Sequence, residues 1–462
     1  MRVVILGAGP GGYVAAIKAA QLGAQVTVVE AGEVGGVCLN RGCIPTKSLA
    51  ASAELFMKAK ELPKFGIDLN AEPVANFPAM MERKNKIVDT QVKGIKGLFK
   101  SWGVNLVEGR GRLMGPGKVE VLKKEGPEVM EADRVIICTG SRPAQIPTFP
   151  FDGKNILSSD NALNMDGVPE SMIIVGAGVI GCEFGSIFGA LGTDITMVEM
   201  MDRAVATEDM EVSELLEREF KKRKIKLVHK NTKIEKVEVR DDGVHAFTST
   251  GLELKAEKML VSIGRSLNSE NIGLEEAGVR KGARGEITVD DRMETNVPGV
   301  YAVGDVTGKM LLAHVASRQG IVAAINACGG SAVMDYSAVP AAVFTVPEIA
   351  SVGIREFQAQ KAGIEVKVGR FQYRALGKAH AIGEIAGFIK VLADAGTDRV
   401  LGAHIIGAHA SDLIHELAVA VRHGITVRQL AETIHTHPTL GEGVLEACEA
   451  VHGEAIHIPK EK

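Results

Sequence analysis

Apolar and polar positions along the chain fall into one pattern twice. The β-branched run Val3-Val4-Ile5-Leu6 enters a glycine-rich turn, an Ala/Gly-rich helical stretch follows, and a second β-rich run closes on Glu30. The same order recurs over 173–199, where it closes on Glu199. Short β-branched runs on either side of a stretch with helical spacing predict a strand, a helix and a second strand, and the recurrence marks a duplicated unit. Further strands are expected at 118–122 and 134–138 before the second copy, and at 226–229 and 258–263 after it. From about Tyr336 the pattern changes. Strands near Phe344 and over 364–368, 388–392 and 401–406 lead to a helix over 411–423, a third domain of α+β type.

The glycines of the two copies fall at matched positions, Gly7, Gly9 and Gly12 in the first and Gly176, Gly178 and Gly181 in the second. In each copy the closing glutamate lies 23 positions beyond the first glycine. The first glycine makes the strand-to-helix turn, the second admits a pyrophosphate to the backbone, and the third brings helix against strand. The acidic residue accepts hydrogen bonds from ribose hydroxyls. One such pattern is also compatible with a bare glycine-rich turn, but two in the same setting predict two Rossmann-like dinucleotide-binding domains. The second also chooses between nicotinamide cofactors. Glu199 repels a 2′-phosphate and is followed by Met200, Met201 and Asp202 before the lone Arg203, which favours NAD over NADP. A further stretch, 295–305, reads as a turn and a strand ending on Asp305, placed to hold cofactor hydroxyls.

A length of 462 residues implies several domains, and 46% apolar with 24% charged residues is ordinary for a globular chain. The longest apolar candidate, 172–191, has Glu183 in its middle, so no membrane span is expected. A net charge of −4 gives no attraction for nucleic acid, and the basic run 221–224 reads as the solvated end of a helix. The charged run 355–361 likewise reads as a solvated helix. Six cysteines are sparse, and the chain opens on a strand rather than a signal peptide, so the expected location is the cytoplasm.

In that reducing setting Cys38 and Cys43 stand out. A regular helix rises about 7.5 Å over five positions, beyond the Cα separation of roughly 4.4–6.8 Å that a disulfide accepts. The backbone between them must therefore be distorted, and Gly42 supplies the freedom. Pro45 suits the first turn of a helix, whose free donors stabilise a thiolate. The pair reads as a redox-active disulfide, the alternative being two reduced cysteines that happen to sit five apart.

His437 precedes Glu442 by five residues, with Pro438 and Gly441 between them. A carboxylate bonded to one imidazole nitrogen leaves the other to take a thiol proton. A purely structural His–Glu pair has the same spacing, and the cysteine pair and the two dinucleotide patterns favour the catalytic reading. His435 and His437 have no carboxylate or cysteine at ligand spacing to complete a metal site, so no metal is expected.

Together these residues resemble the FAD-dependent pyridine nucleotide-disulfide oxidoreductases over nearly the whole chain. The resemblance rests on GGVCLNRGCIPTK at 35–47, the two glycine patterns, VPGVYAVGD at 297–305 with LLAH at 311–314, and HTHPTLGE at 435–442. It implies an α/β fold of two Rossmann-like dinucleotide-binding domains plus a C-terminal α+β dimerisation domain. The expected limits are 1–143 and 270–335 for the FAD-binding domain, 144–269 for the NAD-binding domain and 336–462 for the dimerisation domain.

The resemblance also implies a tightly, non-covalently bound FAD on the first glycine pattern and Glu30. Lys47, Gly111, Thr139, Gly140, Ser141, Asp305, Leu311, Leu312, Ala313 and His314 complete that site. NAD takes the second pattern, Glu199, the backbone at Ile234, and Gly264, while Lys47 and Glu183 pair beside the flavin. Cys38 is then the sulfur that exchanges with substrate and Cys43 the one that meets the flavin. His437 and Glu442 serve the active site of the partner subunit, which makes the protein a homodimer.

The implied reaction oxidises protein-bound dihydrolipoyl groups to lipoyl and reduces NAD⁺. Its partners are lipoyl domains of 2-oxo acid dehydrogenase complexes or the glycine cleavage carrier protein. An NAD(P)H-dependent reductase of another disulfide is the alternative. Departures separate the other branches. The tail 454–462 has no cysteine pair, no basic cluster follows Glu199, and both cysteines at 38 and 43 are present. No lipoyl domain is expected ahead of Val3.

Overall fold

Valine and isoleucine carry the buried strands of the computed structural model, which describes residues 1–459 apart from the side chains of 227–229. Val3, Val4, Ile5 and Leu6 are each at most 3% exposed, as expected for a strand covered on both faces. That strand, Arg2–Leu6, lies third in a parallel sheet ordered Val300–Ala302, Arg134–Ile137, Arg2–Leu6, Gln25–Glu30, Asn105–Glu108. A second parallel sheet runs Lys226–His229, Asp194–Val198, Ser171–Val175, Lys258–Val261, Ile156–Leu157. In both, the helix after the glycine pattern, Pro10–Gln21 or Val179–Leu191, crosses to the neighbouring strand.

The duplication reaches further than the glycine patterns. Each sheet has an antiparallel three-stranded companion, Arg110–Gly115 to Gly126–Glu131 in one case and Ile234–Arg240 to Glu253–Ala256 in the other. Strands Ser141–Pro143 and Arg265–Leu267 pair antiparallel and join the two halves. The chain then returns to the first sheet with Val300–Ala302 and with helix Ala313–Ala327, which lies on Pro10–Gln21. The approach is close, because a Cβ on Gly320 would stand 2.4 Å from the Gly11 carbonyl oxygen.

The C-terminal part is an antiparallel sheet ordered Ala341–Val343, Ile349–Gly353, Val400–Ile406, Phe388–Asp394, Val366–Gln372. Helices Ala410–His423 and Glu442–Val451 cover it. Apolar packing is continuous between units, for one core runs from Leu49 and Phe77 through Phe184 to Val343 and Phe388. Among the described residues no helix is long and apolar enough to cross a membrane. Lys460, Glu461 and Lys462 of the tail lie outside the described residues.

Local departures from the sequence reading have simple causes. The strand expected at 364–368 is Val366–Gln372, because it pairs along its whole length with Phe388–Asp394. The strand expected at 258–263 ends at Val261, where Ser262 turns its backbone N–H to the Val175 carbonyl. The charged run 355–361 does form a helix, Glu356–Ala362, but it is not simply solvated. Arg355 and Glu356 reach inward to Glu208 and to the buried Lys390.

Candidate active site

Gly42 breaks the chain between helices Gly36–Arg41 and Cys43–Glu61. A Cβ there would stand 3.0 Å from the Val37 carbonyl oxygen and 3.3 Å from the Cys38 Cα, so the tight approach of the two helix ends favours glycine. Asn40 fastens the turn by donating from Nδ2 to the carbonyls of Val34 at 3.0 Å and Gly36 at 2.9 Å. Thr46 Oγ1 donates to the Gly42 carbonyl at 2.6 Å. The result brings the Cys38 and Cys43 side chains into hydrogen-bond contact.

The two sulfurs differ. The hydrogen bond from Cys38 pulls the Cys43 thiol down to about 7 against the cost of burial, with help from the Lys47 ammonium. The same contact, with burial, pushes the Cys38 thiol up. In the reduced pair Cys43 is therefore the more readily ionised sulfur and Cys38 the one that keeps its proton longer.

Lys47 lies one helical turn beyond Cys43 on the same face. Its Nζ stands 2.9 Å from both carboxylate oxygens of Glu183, a residue only 4% exposed on the helix of the second glycine pattern. The Phe344 backbone N–H donates to Glu183 Oε1 at 3.0 Å, and the Phe344 ring sits 4.5 Å from Lys47 Nζ. Three parts of the chain thus meet beside Cys43.

The two glycine patterns fold alike. Gly7 and Gly176 take φ of +101° and +95°, and a Cβ on Gly12 or Gly181 would stand 1.9 Å from the carbonyl oxygen of Gly7 or Gly176. Among the described residues neither following helix has a side-chain cap at its glycine start, Gly9 or Gly178, which leaves its first N–H groups for phosphate. Glu30 accepts from the Ala8 N–H at 2.6 Å and the Gly32 N–H at 2.7 Å. Glu199 accepts from the Ala177 N–H at 2.6 Å and the Met201 N–H at 2.7 Å. Each carboxylate is fixed at the mouth of its own turn.

Thr139, Gly140 and Ser141 follow strand Arg134–Ile137 at the same edge. Ser141 Oγ donates to Asp305 Oδ2 at 2.5 Å, and Thr139 Oγ1 donates to the Asn268 carbonyl at 2.7 Å. Gly111 faces Leu6 and Val29, and a Cβ on it would meet the Leu6 side chain at 2.6 Å. Leu311 and Leu312 lead into helix Ala313–Ala327, on which His314 Nε2 lies 2.8 Å from the Pro340 carbonyl. In the second half Ile234 opens its strand, 8% exposed, and Gly264 takes φ of +120°.

His437 and Glu442 meet as their spacing predicts, with Nδ1 2.7 Å from Oε1. Glu442 Oε2 accepts from the Thr439 N–H at 2.9 Å. Burial would raise the Glu442 carboxyl, but the hydrogen bonds from His437 and Thr439 outweigh it and hold it below the ordinary range. The imidazole is 78% exposed, with its other nitrogen free of the carboxylate. Among the described residues no hydrogen bond or ion pair joins this pair to the cysteines of the same chain.

Comparison with known proteins matches residues 1–320 to the pyridine nucleotide-disulphide oxidoreductases and 339–448 to the dimerisation domain of that family. The chain belongs to this family. It is 43% identical over 458 residues to the dihydrolipoyl dehydrogenase of Chlamydia muridarum, covering 99% of this chain and 98% of that one. The dihydrolipoyl dehydrogenase of Bacillus subtilis is 41% identical over 475 residues, covering 98% of each. Among solved structures, LpdA from Mycobacterium tuberculosis aligns with a TM-score of 0.92 at 32% identity, covering 97% of this chain and 99% of that one. RclA from Escherichia coli, a flavoprotein disulfide reductase, shares the fold at a TM-score of 0.88 and 24% identity, covering 97% of this chain and 98% of that one.

In this oxidoreductase the segment that carries His437 and Glu442 is the family's dimerisation domain, which accounts for a pair that faces solvent in a single chain. Two neighbours of the site escaped the sequence reading. Arg265 donates to Ser141 Oγ at 2.7 Å and to its carbonyl at 2.9 Å, and lies 3.7 Å from Asp305. Extending the repeat would have found it, since Gly264 and Arg265 follow the strand of the second half as Gly140 and Ser141 follow that of the first. Phe344 carried no local signal.

Proposed function

We propose that this oxidoreductase is a dihydrolipoyl dehydrogenase, oxidising protein-bound dihydrolipoyl groups through Cys38 and Cys43 and reducing NAD⁺. The observation that carries the reading is the placement of Cys43 in contact with Cys38 and one helical turn before Lys47, whose ammonium Glu183 holds at 2.9 Å. The relatives named dihydrolipoyl dehydrogenase support the substrate. Residues 1–143 and 270–335 form the FAD-binding domain, 144–269 the NAD-binding domain and 336–462 the dimerisation domain of a homodimer. The site works in the cytoplasm on lipoyl domains of 2-oxo acid dehydrogenase complexes or on the glycine cleavage carrier protein.

The residues present fit FAD and NAD. Around the first glycine pattern, Gly12 leaves no room for a side chain, the helix start at Gly9 is open, and Glu30 is fixed for the ribose. Lys47, Gly111, Thr139, Gly140, Ser141, Asp305 and the stretch Leu311, Leu312, Ala313 and His314 would complete the FAD site. Gly176, Gly178, Gly181, Glu199, Ile234 and Gly264 would do so for NAD, while Glu183 would pair with Lys47 beside the flavin. FAD bound there would supply a two-electron acceptor for the reduced cysteines and a hydride donor for NAD⁺.

The chain's own residues perform the thiol chemistry. His437 of the partner subunit takes the proton of one dihydrolipoyl thiol, held in the correct tautomer by the partner's Glu442. The thiolate attacks Cys38 Sγ, the bond to Cys43 breaks, and Cys43 leaves as a thiolate beside Lys47. The second dihydrolipoyl thiol then attacks the mixed disulfide. Its sulfur closes the lipoyl ring and Cys38 departs as a thiol. Two electrons now rest on the cysteine pair. The test is an anaerobic spectrum after mixing with dihydrolipoamide. A long-wavelength thiolate–flavin band is expected in the parent, and Cys43→Ser should lack it while retaining FAD. Substantial lipoamide turnover by Cys38→Ser or Cys43→Ser would overturn the assignment.

A further inference from the structure

The segment between Glu199 and helix Met210–Lys222 lines the second glycine site, and its two buried carboxylates are paired from outside that domain. Near the site the segment is tied to the nucleotide-facing backbone. The Met201 N–H donates to Glu199 Oε1 at 2.7 Å, and the buried Val205 N–H donates to the Ala177 carbonyl at 2.8 Å, inside the glycine turn itself. At its far end stand Glu208 and Asp209, only 4% and 1% exposed.

Buried carboxylates are stable only when paired. Both partners belong to the dimerisation domain at 339–448. Arg355 Nη2 lies 3.3 and 3.4 Å from the carboxylate oxygens of Glu208. Lys390, 1% exposed, donates from Nζ to both oxygens of Asp209 at 3.0 Å and to Glu211 at 2.6 Å. The segment's own cation points the same way, for Arg203 stacks 5.6 Å from the Phe357 ring of helix Glu356–Ala362. Arg355 is held in turn by donating from Nη1 to the Gly353 carbonyl at 3.0 Å and from Nη2 to Ser351 Oγ at 3.1 Å.

We propose that the dimerisation domain sets the affinity of the nicotinamide-nucleotide site through Arg355 and Lys390, which hold the wall of that site in place by its buried carboxylates. Arg355 and Lys390 are positioning residues. They act through Glu208 and Asp209 on the segment that carries Met201 and Val205, and through those backbone donors on Glu199 and the glycine turn. The thiol half of the reaction, built on Cys38, Cys43, Lys47 and His437, does not share this path. The inference rests on reading the second glycine pattern as the NAD site.

The experiment compares purified holoenzyme with Arg355→Met, Arg355→Lys and Lys390→Met, each checked for FAD content and dimer size. Two quantities are measured separately, the KM for NAD⁺ at saturating dihydrolipoamide and the rate of flavin reduction by dihydrolipoamide without NAD⁺. Arg355→Met should raise the KM for NAD⁺ about tenfold and leave the thiol half-reaction within about twofold of the parent. Arg355→Lys, which keeps the charge, should restore most of the affinity. An unchanged KM in Arg355→Met, or an equal loss in both measurements, would overturn the proposal, the latter by showing a merely structural role. Should Lys390→Met fail to hold FAD, the two Arg355 variants decide. A parent enzyme that shows no saturable response to NAD⁺ would instead remove the NAD assignment on which the inference stands.

Discussion

Lys47 Nζ stands 2.9 Å from both carboxylate oxygens of Glu183, so the cation nearest the Cys43 thiolate is itself held by the helix of the other nucleotide-binding half. The hydrogen bond from Cys38 is the largest influence holding Cys43 at about 7; the Lys47 charge adds to it, and Glu183 opposes it. A thiol whose value is depressed stays ionised as pH falls until that value is reached. Titrating the thiolate–flavin band of the reduced enzyme should therefore give a midpoint near the value for Cys43. Lys47→Met should raise that midpoint by at least about one pH unit. Glu183→Gln should lower it. A Lys47→Met enzyme with an unchanged midpoint removes the ammonium from the account.

His437 bonds Glu442, and among the described residues no hydrogen bond or ion pair links it to the cysteines of its own chain. Replacing it with glutamine should slow the reduction of flavin by dihydrolipoamide on the order of 100-fold, as expected for lost general acid–base work. Reduction of the flavin by NADH should be spared. Mixing His437→Gln with a Cys38→Ser chain gives a sharper check, because each parent homodimer lacks a working thiol site. A mixed dimer restores one complete site if His437 acts across the interface, and restores none if it acts within its own chain.

Much of this was legible in the sequence because the informative features are local. Glycine spacing fixes a turn, the closing glutamate fixes the end of a strand, and a spacing of five positions between the cysteines forces a break at Gly42. The 2.7 Å contact of His437 with Glu442 was legible for the same reason. Contacts between distant segments were not. Phe344 reaches Glu183 from 161 positions away, and the inward turn of Arg355 and Glu356 depends on Lys390, a lysine in a strand with no charge pattern around it. A charged run looks alike whether it meets water or buried carboxylates, and only packing decides.

Cofactor choice should respond to Glu199. Its two oxygens accept the Ala177 and Met201 N–H groups, so its charge is fixed where an adenosine ribose would sit. Glu199→Gln removes the repulsion of a 2′-phosphate but weakens a charged hydrogen bond to the ribose. The KM for NADH should rise by roughly tenfold or more while that for NADPH falls. Steady-state assays with both nucleotides measure the ratio directly. A variant that still rejects NADPH by the parental factor places the selectivity elsewhere.

Gly12 and Gly181 offer a matched pair of lesions. A Cβ at either would stand 1.9 Å from a carbonyl oxygen, of Gly7 in one case and of Gly176 in the other, so alanine imposes the same steric insult on each turn. Overpacking of this kind costs about 1–3 kcal/mol where the backbone must give. Equal insults should have unequal consequences, because the two turns serve different nucleotides. Gly12→Ala should be recovered with little FAD, read from the flavin absorbance of the purified protein. Gly181→Ala should keep its FAD and accept electrons from dihydrolipoamide at close to the parental rate, yet need roughly tenfold or more additional NAD⁺ for turnover. If both variants lose FAD to the same degree, the glycines matter for folding of the duplicated units and not for separate nucleotide sites. If Gly181→Ala loses FAD and Gly12→Ala retains it, the order of the two sites along the chain is reversed.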